Sequence, residues 1–189
     1  MALTLGGAVT VLGLVGALAA WRPGWGLEQF DLDGERNVPA TFSALLLLTG
    51  AALAVRLPAT GVPRSVSLGF ACLLAFAALD EAFELHEKLE TRFGVDWQLL
   101  YVPVFVLAVV LWCRLVYALR GRRASIALLL AASACWVVAQ VLEHEQWEPD
   151  GPVPGYTWMM VAEEILEMTG SALLVLGFAT ATRSLRGTR

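Results

Sequence analysis

Residues 65–90 read SVSLGFACLLAFAALDEAFELHEKLE. Fifteen uncharged residues, 65–79, run directly into Asp80, Glu81, Glu84 and Glu87 with His86, followed by Lys88 and Glu90. A helix needs roughly 20 residues to cross about 30 Å of hydrocarbon. Fifteen fall short, so a span built on this segment must draw its acidic turn into the lipid. The same deficit recurs near the end of the chain, where the fifteen uncharged residues 168–182 lie between Glu163-Glu164-x-x-Glu167 and Arg183. A carboxylate at that depth is expensive unless it faces the interior of a bundle and finds protons, hydrogen bonds, water or a cation. Both acidic turns are therefore expected to point inward and to meet.

The rest of the chain supports a membrane setting. Of 189 residues, 58% are hydrophobic and only 16% charged, against about 25% charged in an ordinary soluble domain. Apolar stretches of spanning or near-spanning length occupy 3–21, 38–55, 65 onward, 97–113, 124–142 and 156 onward. The expected fold class is all-α, a polytopic membrane bundle of six transmembrane helices forming one domain over residues 1–189. The first stretch lacks the basic n-region of a secretory signal and reads as a retained span, with Gly6, Gly13, Gly16 and Ala20 permitting close helix packing. Cys72, Cys113 and Cys135 sit in separate apolar runs and form no C-x-x-C pair, so neither a disulfide framework nor a thiolate metal site is indicated.

Charge sets the orientation. All seventeen acidic residues fall on one side of the proposed membrane. Nine of the thirteen basic residues fall on the other: Arg56, Arg64, Arg114, Arg120, Arg122, Arg123, Arg183, Arg186 and Arg189. The positive-inside rule makes that second side, and with it both termini, cytoplasmic. The acidic clusters then face the extracytoplasmic side of the plasma or inner membrane. Trp21, Trp25, Trp97, Trp147 and Trp158 fall near the same boundary, as an interfacial aromatic belt does. The basic residues are accounted for by topology, and no aromatic-basic stripe accompanies them, so a nucleic-acid partner is excluded. The lipid bilayer is the expected partner, with a homo-oligomer or a larger membrane complex compatible with it. The first outer loop, rich in Pro23, Gly24, Gly26 and Gly34, contains Asp31-x-Asp33-Gly-Glu35, but lacks the ligand order of an EF-hand and reads as a solvated acidic loop.

At 100° per residue, a helix continued through this segment places Asp80, Glu84 and Glu87 in one arc, with Glu81 to one side and His86 on the flank. Glu163, Glu164 and Glu167 share a face of the sixth span. Gln140, Glu143, His144 and Trp147 share one at the end of the fifth. The candidate ligands are thus Asp80, Glu81, Glu84, His86, Glu87, Glu143, His144, Glu163, Glu164 and Glu167. Carboxylates with one or two imidazoles suit a divalent metal such as iron, zinc or manganese, and two adjacent ions would offset the surplus negative charge. The Glu-x-x-His pair of four-helix di-iron proteins is missing, because Phe83 and Val141 occupy the positions three before His86 and His144. Plainer roles compete. Lys88 and Glu90 suit a solvated helix end, with Lys88 pairing Glu84 at i,i+4. Glu163 and Glu164 are favoured near a helix N-terminus by its dipole, and a histidine at a helix end, such as His144, is commonly structural.

This pattern resembles a group of uncharacterised bacterial six-span membrane proteins. The resemblance rests on Asp80-Glu81-x4-His86-Glu87 closing the third span, a glutamate such as Glu143 ending the fifth, and Glu163-Glu164-x2-Glu167-x2-Gly170 opening the sixth. Glu84 and His144 lie outside that pattern. The resemblance implies the topology and the site, and no activity.

Three functions follow from the constellation. The leading one is a metal-dependent membrane enzyme acting on a lipid-like or membrane-soluble substrate, by hydrolysis with zinc or oxidation with iron. The second is cation or proton handling by the same acids in a transporter, accessory or sensor subunit. The third is a haem b protein with His86 and His144 as axial ligands.

Overall fold

A computed structural model describes residues 1–22, 24–34, 36–148 and 151–183. Pro23, Glu35, Pro149, Arg186 and Arg189 lie outside the described residues. The chain is all-helical. Helix α1 (Ala2–Trp21) is followed by a short 3-10 turn, Glu28–Phe30, and by α2 (Val38–Ala54). A second 3-10 turn, Leu57–Thr60, leads to α3 (Arg64–Phe83), α4 (Leu85–Phe93), α5 (Trp97–Leu100) and α6 (Val102–Ala118). Then come α7 (Arg123–Glu145) and α8 (Tyr156–Arg183), joined through a two-residue antiparallel ladder that pairs Trp147 with Pro152 and Glu148 with Gly151.

Four helices, α1, α3, α7 and α8, are long and apolar enough to cross a membrane, while α2 and α6 are apolar but have 17 residues each. The length argument is met by the helices themselves, since α3 includes Asp80 and Glu81 and α8 includes Glu163, Glu164 and Glu167. Helix α8 is the axis of the bundle: 56% of its spanning window is buried, against 28% in α3 and 22% in α1 and α7. Its sides differ accordingly. One packs on α1 and α2 through Val161, Met168, Ala172 and Val175. Another receives α7, where Gly170 and Gly177 bring the two backbones together against Trp136 and Leu129. A third faces α3, with Phe178 edge-on to Phe70 at 6.0 Å.

Hydroxyls and one guanidinium lock the ends. Ser67 Oγ donates to the Ala54 carbonyl (2.7 Å) and Ser125 Oγ to that of Gly177 (2.8 Å). Arg122 donates to Ala181 O (2.9 Å) and Thr60 O (3.5 Å), gathering three turns at the basic end of the bundle. At the opposite, acidic end, Asn37 caps α2 by accepting from the Ala40 N–H at 3.0 Å, the expected role for Asn at an N-cap.

The structure corrects three expectations. The third span does not continue as one helix through Glu90: α3 stops at Phe83, Glu84 adopts a left-handed conformation (φ 53°), and α4 sets off separately. The arc shared by Asp80, Glu84 and Glu87 therefore does not exist. The fourth span is not continuous from Trp97 to Cys113 either. It breaks at Tyr101 and restarts with Pro103 in the first turn of α6, where a proline's missing N–H costs no helical bond, and it runs on to Ala118. In α1, a Cβ added at Gly13 or Gly16 would meet Ile165 or Leu32, whereas one added at Gly6 would meet nothing within 4 Å.

Candidate functional site

The acidic end is built outward from Asp80. Its Oδ1 accepts from the His86 backbone N–H at 2.9 Å and from the Tyr101 hydroxyl at 3.0 Å, and its Oδ2 lies 3.3 Å from His86 Nδ1. One carboxylate thus caps the start of α4 and fixes both the His86 ring and the Tyr101 phenol. Burial pushes the Tyr101 phenol up, and the hydrogen bond to Asp80 together with that carboxylate's charge adds to the shift, so the hydroxyl stays a donor. Trp97, at the start of α5, packs on His86 (ring centroids 5.1 Å) and edge-on to Tyr101 (5.3 Å).

From Trp97 the network crosses to α7 and α8. The Trp97 indole N–H donates to Glu143 Oε1 at 2.8 Å. Gln140 then bridges the helices, its amide nitrogen donating to Glu143 Oε2 (3.2 Å) and to Glu167 Oε1 (3.4 Å). Gln146 donates in the same manner to the buried Glu163. Glu167 lies within charge–charge range of Glu81, Glu164, Glu163 and Glu143, and His86 is in range of Glu143 and Glu163. Acids of α3, α7 and α8 therefore converge. Among the described residues the ion pairs are Arg36–Glu84, Lys88–Glu84, His86–Asp80 and His144–Asp96, and none reaches Glu143, Glu163 or Glu167. Those three accept from neutral indole and carboxamide donors instead.

The pattern of a domain of unknown function, DUF8692, matches residues 2–182. The chain belongs to the DUF8692 family. No curated protein and no solved structure matches it. The matched stretch holds every candidate residue, and the family description assigns none of them a role.

Within this DUF8692 chain the ten candidates divide into two sets. Asp80, Glu81, His86, Glu143, Glu163, Glu164 and Glu167 lie together at the acidic end. Glu84, Glu87 and His144 do not join them. Glu84 turns to Arg36 (3.0 Å) and Lys88 (3.6 Å), Glu87 is exposed in the first turn of α4, and His144 is 64% exposed with its Nδ1 3.9 Å from Asp96. Among the described residues no three His, Cys, Asp or Glu side chains are disposed as a ready-made metal-binding group. Carboxamides and aromatic donors stand between the carboxylates, and a metal would have to displace them. Of the residues that build this network, Trp97 reads in the sequence only as part of the aromatic belt, and Tyr101 and Gln146 do not stand out there. Gln146 follows Glu143 by three residues, the spacing that already drew attention to Gln140 and Glu143. Tyr101 carried no signal, because its role depends on the break between α5 and α6.

Proposed function

We propose that this DUF8692 chain is a six-span protein of the plasma or inner membrane, with both termini cytoplasmic and the acidic end extracytoplasmic. There it binds a divalent metal, iron, zinc or manganese, as one ion or two. The ligands come from Asp80, Glu81, His86, Glu143, Glu163, Glu164 and Glu167, and the metal serves an enzyme acting on a lipid-like or membrane-soluble substrate. The observation that carries this reading is the Gln140 bridge between Glu143 and Glu167. Two carboxylates drawn to one carboxamide, with no lysine or arginine among the described residues paired to either, form a concentration of negative charge that calls for a positive counterpart. A divalent ion supplies it, and also supplies Lewis acidity or redox chemistry at the lipid boundary. The test is elemental analysis and a visible spectrum of the detergent-purified protein. Stoichiometric metal, lost on Glu167→Ala, is expected; absence of metal from protein purified with supplementation overturns the reading.

One observation favours a second reading. Because Glu143 and Glu167 meet at one carboxamide, and crowded like charges are relieved by shared protons as well as by a metal, the same cluster can serve a cation- or proton-handling subunit. Proton or cation flux into proteoliposomes that disappears in Glu167→Gln would select it. For haem b, the exposed position of His144 beside Asp96 offers no support.

A further inference from the structure

Between the end of α1, the loop after it and the start of α8 lies a cavity of about 170 Å³. Its walls differ in character. Ala19 and Ala20 of α1 and Met160 of α8 line it with apolar surface, while Arg22, Glu28, Asp31 and Asp33 bring charge of both signs to it. Opposite charges around one small hollow ordinarily close on each other. Here Arg22 forms no ion pair with any of the three carboxylates, nor with any other acid among the described residues. Its guanidinium lies instead 5.5 Å from the centre of the exposed Trp25 ring. Asp33 accepts from the Tyr156 hydroxyl, and Asp31 Oδ1 from the Asp33 backbone N–H at 3.3 Å. Both donors are neutral, so the cavity keeps one positive group and three negative ones apart.

On the membrane reading, the cavity lies at headgroup level. Trp21, directly before Arg22, packs on Trp158 with ring centroids 4.1 Å apart. Trp21, Trp25 and Trp158 are all exposed, as aromatic residues at a membrane–water interface are. The size is also informative. Sites that enclose a whole drug-sized ligand occupy about 300–1,000 Å³, so this one takes a small polar group and leaves any attached chain outside.

We propose that this cavity binds the headgroup of a zwitterionic phospholipid whose phosphate carries a primary ammonium, as in phosphatidylethanolamine. The inference rests on the membrane setting proposed above and not on the metal. A zwitterion bridges what the cavity holds apart. The planar guanidinium of Arg22 suits the phosphate, and the carboxylates of Glu28 and Asp31 accept from the three N–H groups of the ammonium. The apolar wall of Ala19, Ala20 and Met160 is left for the glycerol end. A trimethylammonium group has no N–H to donate and is recognised by cages of aromatic rings; Tyr156 is the one aromatic ring in this lining, and its hydroxyl is turned to Asp33. An anionic headgroup without an ammonium meets three carboxylates, a juxtaposition of like charges that disfavours it.

The experiment titrates the delipidated, detergent-purified full chain with phosphatidylethanolamine, phosphatidylcholine and phosphatidylglycerol of identical acyl chains, and counts bound lipid by native mass spectrometry. Arg22→Gln, Glu28→Gln and Asp31→Asn are compared with the wild type and with Arg120→Gln. The last removes an arginine that also lies over an aromatic ring, Tyr117, but at the basic end. Asn at position 31 keeps an oxygen for the Asp33 N–H, and unchanged thermal unfolding verifies that each variant is folded. The wild type is expected to bind phosphatidylethanolamine most tightly. Its affinity should fall about tenfold in Arg22→Gln and in Asp31→Asn, the scale of a lost hydrogen bond to a charged group, and stay unchanged in Arg120→Gln. Equal affinity for the three lipids, a preference for phosphatidylglycerol, or indifference to both Arg22 and Asp31 overturns the inference. Free phosphoethanolamine that displaces the lipid at equal concentration overturns the lipid as the source and puts a soluble zwitterion in its place. These outcomes leave the membrane setting standing as long as the chain leaves membranes only with detergent; release by salt or alkali alone overturns both.

Discussion

At the residue scale, Glu84 decides where the acidic end folds. Its φ of 53° lies in the left-handed region that disfavours any residue with a Cβ. Nothing in Phe83-Glu84-Leu85 announces a helix break: there is no glycine, no proline and no turn dipeptide. The sequence therefore reads as one helix through Glu90, and the arc drawn through Glu84 and Glu87 fails with it. What favours the break is tertiary. Asp80 reaches forward to cap α4 at the His86 N–H, and Arg36 from the loop before α2 holds the Glu84 carboxylate. Substitution separates the backbone cost from the ion pairs. Glu84→Ala and Glu84→Gly both lose Arg36 and Lys88, but only glycine relieves the left-handed strain. Glu84→Gly is expected to be more stable than Glu84→Ala by about 1 kcal/mol, measured by thermal unfolding in detergent. Equal stability would show that the break does not survive the loss of the side chain.

At the element scale, the pairing of α7 with α8 positions the site, because Gln140 reaches Glu167 only if the two backbones are close. Gly170 provides that closeness. A Cβ there would sit 2.6 Å from Trp136 Cδ1, 2.9 Å from its Nε1 and 3.1 Å from the Ala132 backbone oxygen. The indole is large and the carbonyl belongs to the α7 backbone, so little can give. Gly170→Ala is expected to destabilise the protein by about 1–3 kcal/mol, the usual cost of overpacking, and to lower metal content in parallel by separating Gln140 from Glu167. Gly6→Ala is the control: a Cβ there would meet nothing within 4 Å, and its thermal midpoint should match or exceed that of the wild type. The contrast also shows what the sequence could disclose about elements. Apolar runs located the six apolar helices, and the fifteen-residue deficits showed that α3 and α8 must take their acids with them. Small residues in α1 all looked alike, because which glycine meets a neighbour depends on how α1 crosses α8, and a single chain's sequence does not encode that crossing locally. The break at Tyr101 was hidden for a similar reason, since an apolar run continues across it.

At the scale of the whole molecule, charge is sorted by the ends of the bundle. Arg122 draws together the turn at Thr60 and the end of α8 at Ala181, which places Arg56, Arg64, Arg120, Arg123 and Arg183 near one end. At the other, Tyr156 donates to Asp33, Arg36 meets Glu84 and Trp97 meets Glu143. If all six apolar helices cross, these ends lie on opposite sides of the membrane, and the question turns on α2 and α6. Their 17 residues each make about 26 Å of helix, some 4 Å short of about 30 Å of hydrocarbon. A deficit of that size is absorbed by local thinning and by flanking side chains that reach for the interface, at fractions of a kcal/mol per Å. The 3-10 turn after α2 and Arg114 near the end of α6 are placed to do this. On the six-span reading proposed above, the shortfall of α2 and α6 is therefore no obstacle to crossing. Single cysteines in a chain lacking Cys72, Cys113 and Cys135 test the point at exposed loop and helix-end positions. Gln29→Cys and Thr91→Cys should react with a membrane-impermeant maleimide on intact cells, and Ala59→Cys and Ala124→Cys only after permeabilisation. Were α2 to fold back without crossing, positions 29 and 59 would label together, and the acidic and basic ends would no longer correspond to the two faces of one membrane.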